Sequence, residues 1–471
     1  MNVAKQIVKN MFSLSAAEFA GKGLAVIFTI YLIKTIGPAN NGIFTSAKSL
    51  VQGFLIIVWL GFDQVGIREV ARDRTKLNDY VGAILSIRLI IGVLSYAALL
   101  LMMEFYQTSN SPSLLHKYVT YVYGILILGN AFLINWAYQA VERMQIIAIR
   151  SVLVNSLNLF GLLVFVNDEN DLLLAVWIIV ISFPVNSIWM LAHFFKSYGI
   201  PRINFNKLIW KTIIWQSIKV GLVFLIVTFY SIIGVQMLSH WRGDIETGIY
   251  GAAFQIMVFL LIPTGILQGA FFPQISKLNE MGEKLQMISK YLTVNILVGI
   301  FLSFSLYFFS DFVVEILGDK YQGTNDVLKI LSGTLLIQYL STSYFSPLIA
   351  WKRENTVIFA NLAGLLANVL MNFLLIPEYG YIGAAIATIF CEGAVLVVLW
   401  IIFNYEFKTI FLPDLLKIIT FSIPGIILSF YLVSIGLHFS FSFIIGSLII
   451  ISFQFIFKII KLSDVALITK K

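Results

Sequence analysis

The sequence predicts an all-α polytopic membrane protein of about 14 transmembrane helices, with about 12 as the alternative. Three observations predict it: an apolar, charge-poor composition, apolar runs of spanning length along the whole chain, and a one-sided distribution of basic residues. Hydrophobic residues make up 59% of the 471 positions and charged residues 12%, and the mean hydropathy is +0.90. A soluble chain carries roughly 45–50% apolar and about 25% charged residues. Half the usual charge does not coat a soluble surface of this size, which excludes a cytosolic enzyme, a nucleic-acid binder and a disordered scaffold.

The expected spans begin with 11–33, 43–62, 80–103, 118–138, 149–166 and 172–195. They continue with 217–239, 249–272, 291–309, 327–350, 356–376 and 384–403, and close with the pair 418–437 and 441–460. The runs are continuous rather than alternating, which favours helices over a barrel. Glu18 and Lys22 interrupt the first run and no small-residue cleavage site follows, so it reads as a retained span. With the N-terminus inside, about 24 Lys and Arg residues fall on inner segments and about 4 on outer ones. The positive-inside rule then sets both ends on the cytoplasmic side, and the net charge of +8 is mostly a topology signal. The lone cysteine, Cys391, excludes an intrachain disulfide.

Two stretches repeat. Gly37, Gly42, Ile43, Phe44 and Ala47 align with Gly243, Gly248, Ile249, Tyr250 and Ala253. Ala140, Arg143, Asn158 and Ala175 align at nearly the same offset with Ala350, Arg353, Asn368 and Ala385. The pattern predicts two pseudo-symmetric six-helix bundles, residues 1–200 and 201–410, with an additional helix pair and tail over 411–471. Bundles in parallel pseudo-symmetry are a transporter architecture, with the substrate site expected between them.

Charge inside a span costs about 2.5–3.5 kcal/mol on insertion scales and marks function. Lys22 lies in the first span, with Glu18 one turn earlier on the same face. Lys48 lies in the second span and Arg88 in the third. A partial pair with Glu18 accounts for Lys22 structurally. Snorkelling accounts for Lys48, and for Arg88 only at its limit, ~12 Å from the inner end. Together the three cations in a wet cavity would attract an anion, most simply a phosphate or pyrophosphate. The second half offers Gln255, Gln268, Gln338, Asn368 and Asn372, suited to sugar hydroxyls or to ordinary interhelical hydrogen bonds. Glu18 and Glu392 are the candidate carboxylates for coupling to a proton or sodium gradient. No other cofactor, metal or catalytic residue is expected, since neither a phosphate-binding loop nor a zinc-protease motif occurs.

The run Asn372-Phe373-Leu374-Leu375-Ile376-Pro377-Glu378-Tyr379-Gly380-Tyr381-Ile382-Gly383-Ala384 resembles a signature of O-antigen-type polysaccharide repeat-unit flippases. These belong to the multidrug/oligosaccharidyl-lipid/polysaccharide exporter superfamily. The segments Leu60-Gly61-Phe62-Asp63-Gln64-Val65-Gly66-Ile67-Arg68 and Phe271-Phe272-Pro273-Gln274 are similar to theirs as well. The resemblance implies translocation of an undecaprenyl-pyrophosphate-linked oligosaccharide from the inner to the outer leaflet of the bacterial cytoplasmic membrane by alternating access. The family's cationic cavity would map onto Lys22, Lys48 and Arg88. The implied partners are the lipid-linked glycan, membrane lipids, a polysaccharide polymerase and a chain-length regulator, with no nucleic acid. The last two spans resemble the additional pair of lipid II flippases, a candidate groove for a lipid tail. A MATE-type drug exporter would want acidic residues where this N-terminal half has cations. A membrane polymerase would want a substantial outer loop.

Overall fold

The computed structural model describes residues 3–105, 113–201, 207–276, 278, 280–351, 353–408 and 412–457. Among them every regular element is a helix. In chain order these are α1 (Val3–Trp59), α2 (Phe62–Arg72), α3 (Leu77–Phe105), α4 (Leu114–Ala131), α5 (Asn135–Ala140), α6 (Met144–Phe165), α7 (Leu172–Tyr198) and α8 (Lys207–Arg242). Then come α9 (Asp244–Phe259), α10 (Ile262–Ile275), α11 (Met281–Phe308), α12 (Ser310–Leu317), α13 (Thr324–Ala350), α14 (Glu354–Phe407), α15 (Leu412–Ser434) and α16 (Phe439–Ile456).

Among the described residues, 11 helical segments are long and apolar enough to cross a membrane. Two of them, Gly21–Arg72 and Glu354–Phe407, run to 52 and 54 residues. Straight, each would measure ~80 Å against ~30 Å of hydrocarbon. Each is instead broken at a glycine beside a proline: Gly37 (φ 75°) before Pro38, and Gly380 (φ 55°) after Pro377. Positive φ is costly for any residue with a Cβ, so glycine is what lets the chain turn back there. With these two breaks and α13, whose Ser, Thr and Gln content lowers its hydropathy, the described residues supply fourteen helical segments of spanning length, the number expected. Large apolar side chains such as Phe160, Leu94 and Leu366 are 65–71% exposed, as suits helices solvated by lipid.

The chain forms two compact units, Met1–Gly251 and Ala252–Lys471. The sequence puts its first boundary at 200/201; the packing of α8 puts that helix with the first unit. A Cβ on Gly221 would sit 2.8 Å from the Leu60 carbonyl oxygen. Farther along α8, the Gln236 amide Nε2 donates to Ser49 Oγ at 2.5 Å and to the Ser46 carbonyl at 3.0 Å.

In the first unit one core gathers residues of α1, α3, α4, α6 and α7, including Leu32, Phe44, Val51, Leu99, Ile127 and Val176. A second gathers Phe62, Val81, Ile84, Trp136, Tyr138, Met190 and Phe194 around the short helices α2 and α5. The repeat-related turns meet in this unit. The Asn41 Nδ2 donates to the Gly248 carbonyl at 2.7 Å. A Cβ on Gly42 would lie 1.8 Å from the Asp244 carbonyl oxygen, and one on Gly248 1.8 Å from that of Pro38. Only glycine permits this backbone-to-backbone crossing.

In the second unit, Tyr291 bonds Ser346 at 3.2 Å, Tyr339 donates to the Leu260 carbonyl at 2.8 Å and Trp351 to that of Ile275 at 3.2 Å. The predicted C-terminal pair is the hairpin α15–α16. A Cβ on Gly425 would lie 2.5 Å from the Gly446 carbonyl oxygen, and Gln454 Nε2 donates to Ile418 O and Ser422 Oγ, both at 3.1 Å. Phe443 of α16 stacks among Phe304, Phe308 and Phe309 at centroid distances of 4.8–5.8 Å.

The second sequence pairing reappears as local geometry. The Arg143 amide donates to the Tyr138 carbonyl, and the Arg353 amide to that of Leu348, each at 2.8 Å. Asn158 and Asn368 are both buried, at 8% and 4% exposure.

Candidate functional site

Lys22 and Lys48 lie on the two limbs of α1, about 22 Å and 16 Å of helical rise from the turn at Gly37. With the chain turning at Gly37, the two positions lie within about 6 Å of each other in helical rise from the turn. Both residues are half-buried. Lys22 follows Gly21, whose carbonyl accepts from Asn155 Nδ2 at 3.0 Å, so this limb is registered against α6. Lys48 stands between the buried Ala47 and Ser49, beside the Gln236 clamp from α8. The side chain of Glu18, the expected companion of Lys22, lies outside the described residues.

Arg88 differs from the expectation. Its side chain is 2% exposed, and Nη2 meets the Asp63 carboxylate at 2.8 Å. Nη1 donates to the Leu133 carbonyl at 3.2 Å, and the guanidinium carbon lies 5.9 Å from the centre of the Phe62 ring. Neither snorkelling nor an open cavity describes it: its charge is matched inside the protein.

In the second unit the structure brings together residues from α13 and both limbs of α14. Gln338 Nε2 donates to Glu392 Oε1 at 2.9 Å, and Asn372 Nδ2 to Asn368 Oδ1 at 2.8 Å. A Cβ on Gly364, one turn before Asn368, would lie 3.3 Å from the Cys391 carbonyl oxygen, so the limbs that carry the two pairs pack together. Glu392, Asn368 and Asn372 are 5%, 4% and 1% exposed. Gln338 Oε1 and Asn372 Oδ1 are buried with no hydrogen-bond donor. Unsatisfied buried oxygens near a carboxylate are costly unless a proton, a water or a hard cation meets them. Among the described residues no three His, Cys, Asp or Glu side chains converge as a metal cluster. Gln255 and Gln268 are half-buried on α9 and α10.

A cavity of about 360 Å³ opens between α11, α13 and α15, lined by Ile300, Phe304, Tyr307, Leu336, Ile423 and Phe430, with Ser332 and Gly333 among its smaller residues. Its walls are almost wholly apolar.

Sequence reading missed Asp63 as the partner of Arg88 and Gln236 as a clamp beside Lys48. Asp63 stands 25 positions from Arg88 and Gln236 187 from Ser49, so no local spacing could reveal either contact.

Spanning-length apolar helices along the described residues, with two lysines and a buried carboxylate–amide cluster set within them, define a class: a polytopic, all-helical membrane protein. The solved structure titled "Lipid II flippase MurJ, inward closed conformation" is similar at a TM-score of 0.78 and 15% identity, covering 95% of this chain and 98% of that one. A profile described as polysaccharide biosynthesis protein matches residues 7–279, and the chain belongs to that family. A "Putative O-antigen transporter" of Escherichia coli (strain K12) is 24% identical over 403 residues, 83% of this chain and 95% of the relative. A "Probable low-salt glycan biosynthesis flippase" of Haloferax volcanii is 21% identical over 394 residues, 82% of this chain and 80% of the relative. The protein is thus a multi-pass, all-helical membrane protein of the polysaccharide biosynthesis family.

Proposed function

We propose that the chain moves an undecaprenyl-pyrophosphate-linked oligosaccharide repeat unit, of O-antigen or another surface polysaccharide, from the inner to the outer leaflet of the bacterial cytoplasmic membrane by alternating access. The observation that carries this reading is the placement of Lys22 and Lys48 at similar helical rise from the turn on the two limbs of α1, in a chain of the polysaccharide biosynthesis family. Two ammonium groups within spans suit a pyrophosphate, which carries its negative charge at the point where lipid and sugar join. Arg88 belongs to this site only in the sequence reading; its carboxylate partner argues for another role.

The remaining features support parts of the same reading. Gln255, Gln268, Asn368 and Asn372 suit sugar hydroxyls. Glu392, with Gln338 as donor and unsatisfied amide oxygens close by, suits a proton or sodium ion as the coupling species. Glu18 is the second candidate carboxylate. The apolar cavity between α11, α13 and α15 suits a hydrocarbon chain. A polysaccharide polymerase and a chain-length regulator are the protein partners this role calls for.

The test is the lipid pool of a deletion strain, that is, of cells lacking this chain. A lipid-linked oligosaccharide accumulates on the inner leaflet and surface polysaccharide is lost. Restoring Lys48→Ala at normal protein levels leaves the export defect in place. Full export by Lys22→Ala and Lys48→Ala would refute the headgroup site.

A further inference from the structure

The third intramembrane cation has a different task. One guanidinium in the first unit meets two of its interruptions of the helical backbone. At the first, between α1 and α2, Leu60 (φ 27°) and Gly61 (φ 77°) leave the right-handed helical region. At the second, residues 132–134 separate α4 from α5. A helix end leaves carbonyls without intrahelical donors, and buried ones need another partner. Arg88 supplies one to the Leu133 carbonyl, at 3.2 Å. Its other terminal nitrogen grips Asp63 in the first turn of α2, at 2.8 Å, where a carboxylate also favours the helix N-terminus. The two short helices entered through these breaks pack on each other. A Cβ on Gly66 of α2 would lie 2.5 Å from the ring of Trp136 on α5, which is 1% exposed.

We infer that Asp63, rather than a substrate phosphate, is the anion Arg88 serves, and that the pair is a positioning clasp fixing α2 and α5 on the first unit. The Arg88 side chain is 2% exposed and its Nε is buried, so the guanidinium is enclosed by protein. The pair is asymmetric: the Arg88 side chain is 2% exposed and that of Asp63 38%. Removing the carboxylate strands a buried cation. Removing the cation leaves a carboxylate that reaches solvent. Leaving the enclosed partner unmatched is the costly direction.

This inference rests on the flippase reading only for its export assay; its stability assay needs no substrate. Purified Asp63→Asn, Arg88→Gln, the double variant and Asp63→Glu are compared by thermal midpoint, and the same set by polysaccharide export. Asp63→Asn lowers the midpoint by roughly 5–10 °C, more than Arg88→Gln does. The double variant recovers most of that loss, and Asp63→Glu, which keeps the charge, stays near the native midpoint. Export follows the midpoint across the set. An unchanged midpoint in Asp63→Asn overturns the clasp. So does an Asp63→Asn protein that exports normally while Arg88→Gln, alone and in the double variant, is stable and does not export. If the midpoints couple as stated but no lipid-linked glycan depends on the chain, the clasp stands and the flippase reading fails.

Discussion

Gly42→Ala is a one-carbon change with a large expected effect. The added Cβ would sit 1.8 Å from the Asp244 carbonyl oxygen, 2.6 Å from its carbon and 2.9 Å from its Cα. All three are backbone atoms, so no rotamer change relieves the clash. Restoring ordinary contact requires α1 and the first turn of α9 to separate by about 1.5 Å, given normal carbon–oxygen spacings near 3.3 Å. That separation also stretches the 2.7 Å bond from Asn41 to Gly248 past useful length. Overpacking costs about 1–3 kcal/mol and a lost hydrogen bond about 1 kcal/mol. At about 2–4 °C per kcal/mol for a unit of this size, the thermal midpoint of the purified protein drops by roughly 5–15 °C. The matched control is Gly23→Ala, a helical glycine with nothing within 4 Å of the added carbon. It should be neutral or slightly stabilising, because alanine favours the helix. Thermal unfolding of both variants in lipid nanodiscs decides the matter. A Gly42→Ala midpoint within a degree of the native one, or no different from that of Gly23→Ala, would refute the crossing.

Two further outcomes follow from other parts of the chain. Glu392→Gln, which keeps shape and removes charge, should make transport insensitive to the driving ion gradient and slow it at least tenfold; undiminished gradient-driven flux would remove Glu392 from coupling. On the α12 turn, the hydrogen bond from Asn325 at 2.7 Å and the Lys329 ammonium at 3.1 Å hold the Asp311 carboxyl below the usual carboxylate range. A lowered acid stabilises the fold above its unfolded-state pKa and loses that contribution as pH falls through its lower folded value. Asp311→Asn should therefore lower the midpoint slightly at pH 7 and by progressively less as the pH falls below the usual carboxylate range, as measured by thermal unfolding across that range.

The fold was largely legible in the sequence because a membrane span carries its own signature. Twenty apolar residues in a row and basic residues on one side do not depend on what a helix packs against. The turn glycines were legible too: Gly42 and Gly248 stood out as a repeat, and they are where two backbones touch. The compact-unit boundary was not. Which helices α8 packs on depends on contacts such as Gln236 with Ser49, 187 residues apart. The candidate site was half legible. Rarity of charge in spans picked out Lys22, Lys48, Arg88 and Glu392, but rarity does not say what a charge faces. Arg88 faces Asp63, a residue read only as part of a loop motif. Glu392 faces Gln338, 54 residues away, where the sequence offered several amides of equal standing.

In the function proposed, Lys22 and Lys48 receive the phosphate-bearing headgroup of a lipid-linked glycan. The most direct measurement reconstitutes the purified chain in vesicles holding a radiolabelled polyprenyl-pyrophosphate oligosaccharide and follows the arrival of the sugar at the opposite leaflet with a membrane-impermeant enzyme. The native chain should move the label, and Lys48→Ala should do so roughly 10–100-fold more slowly, as loss of a charge-assisted contact of about 1.5–3 kcal/mol implies. Equal rates for the two proteins, or for vesicles with and without the native chain, would contradict the claim.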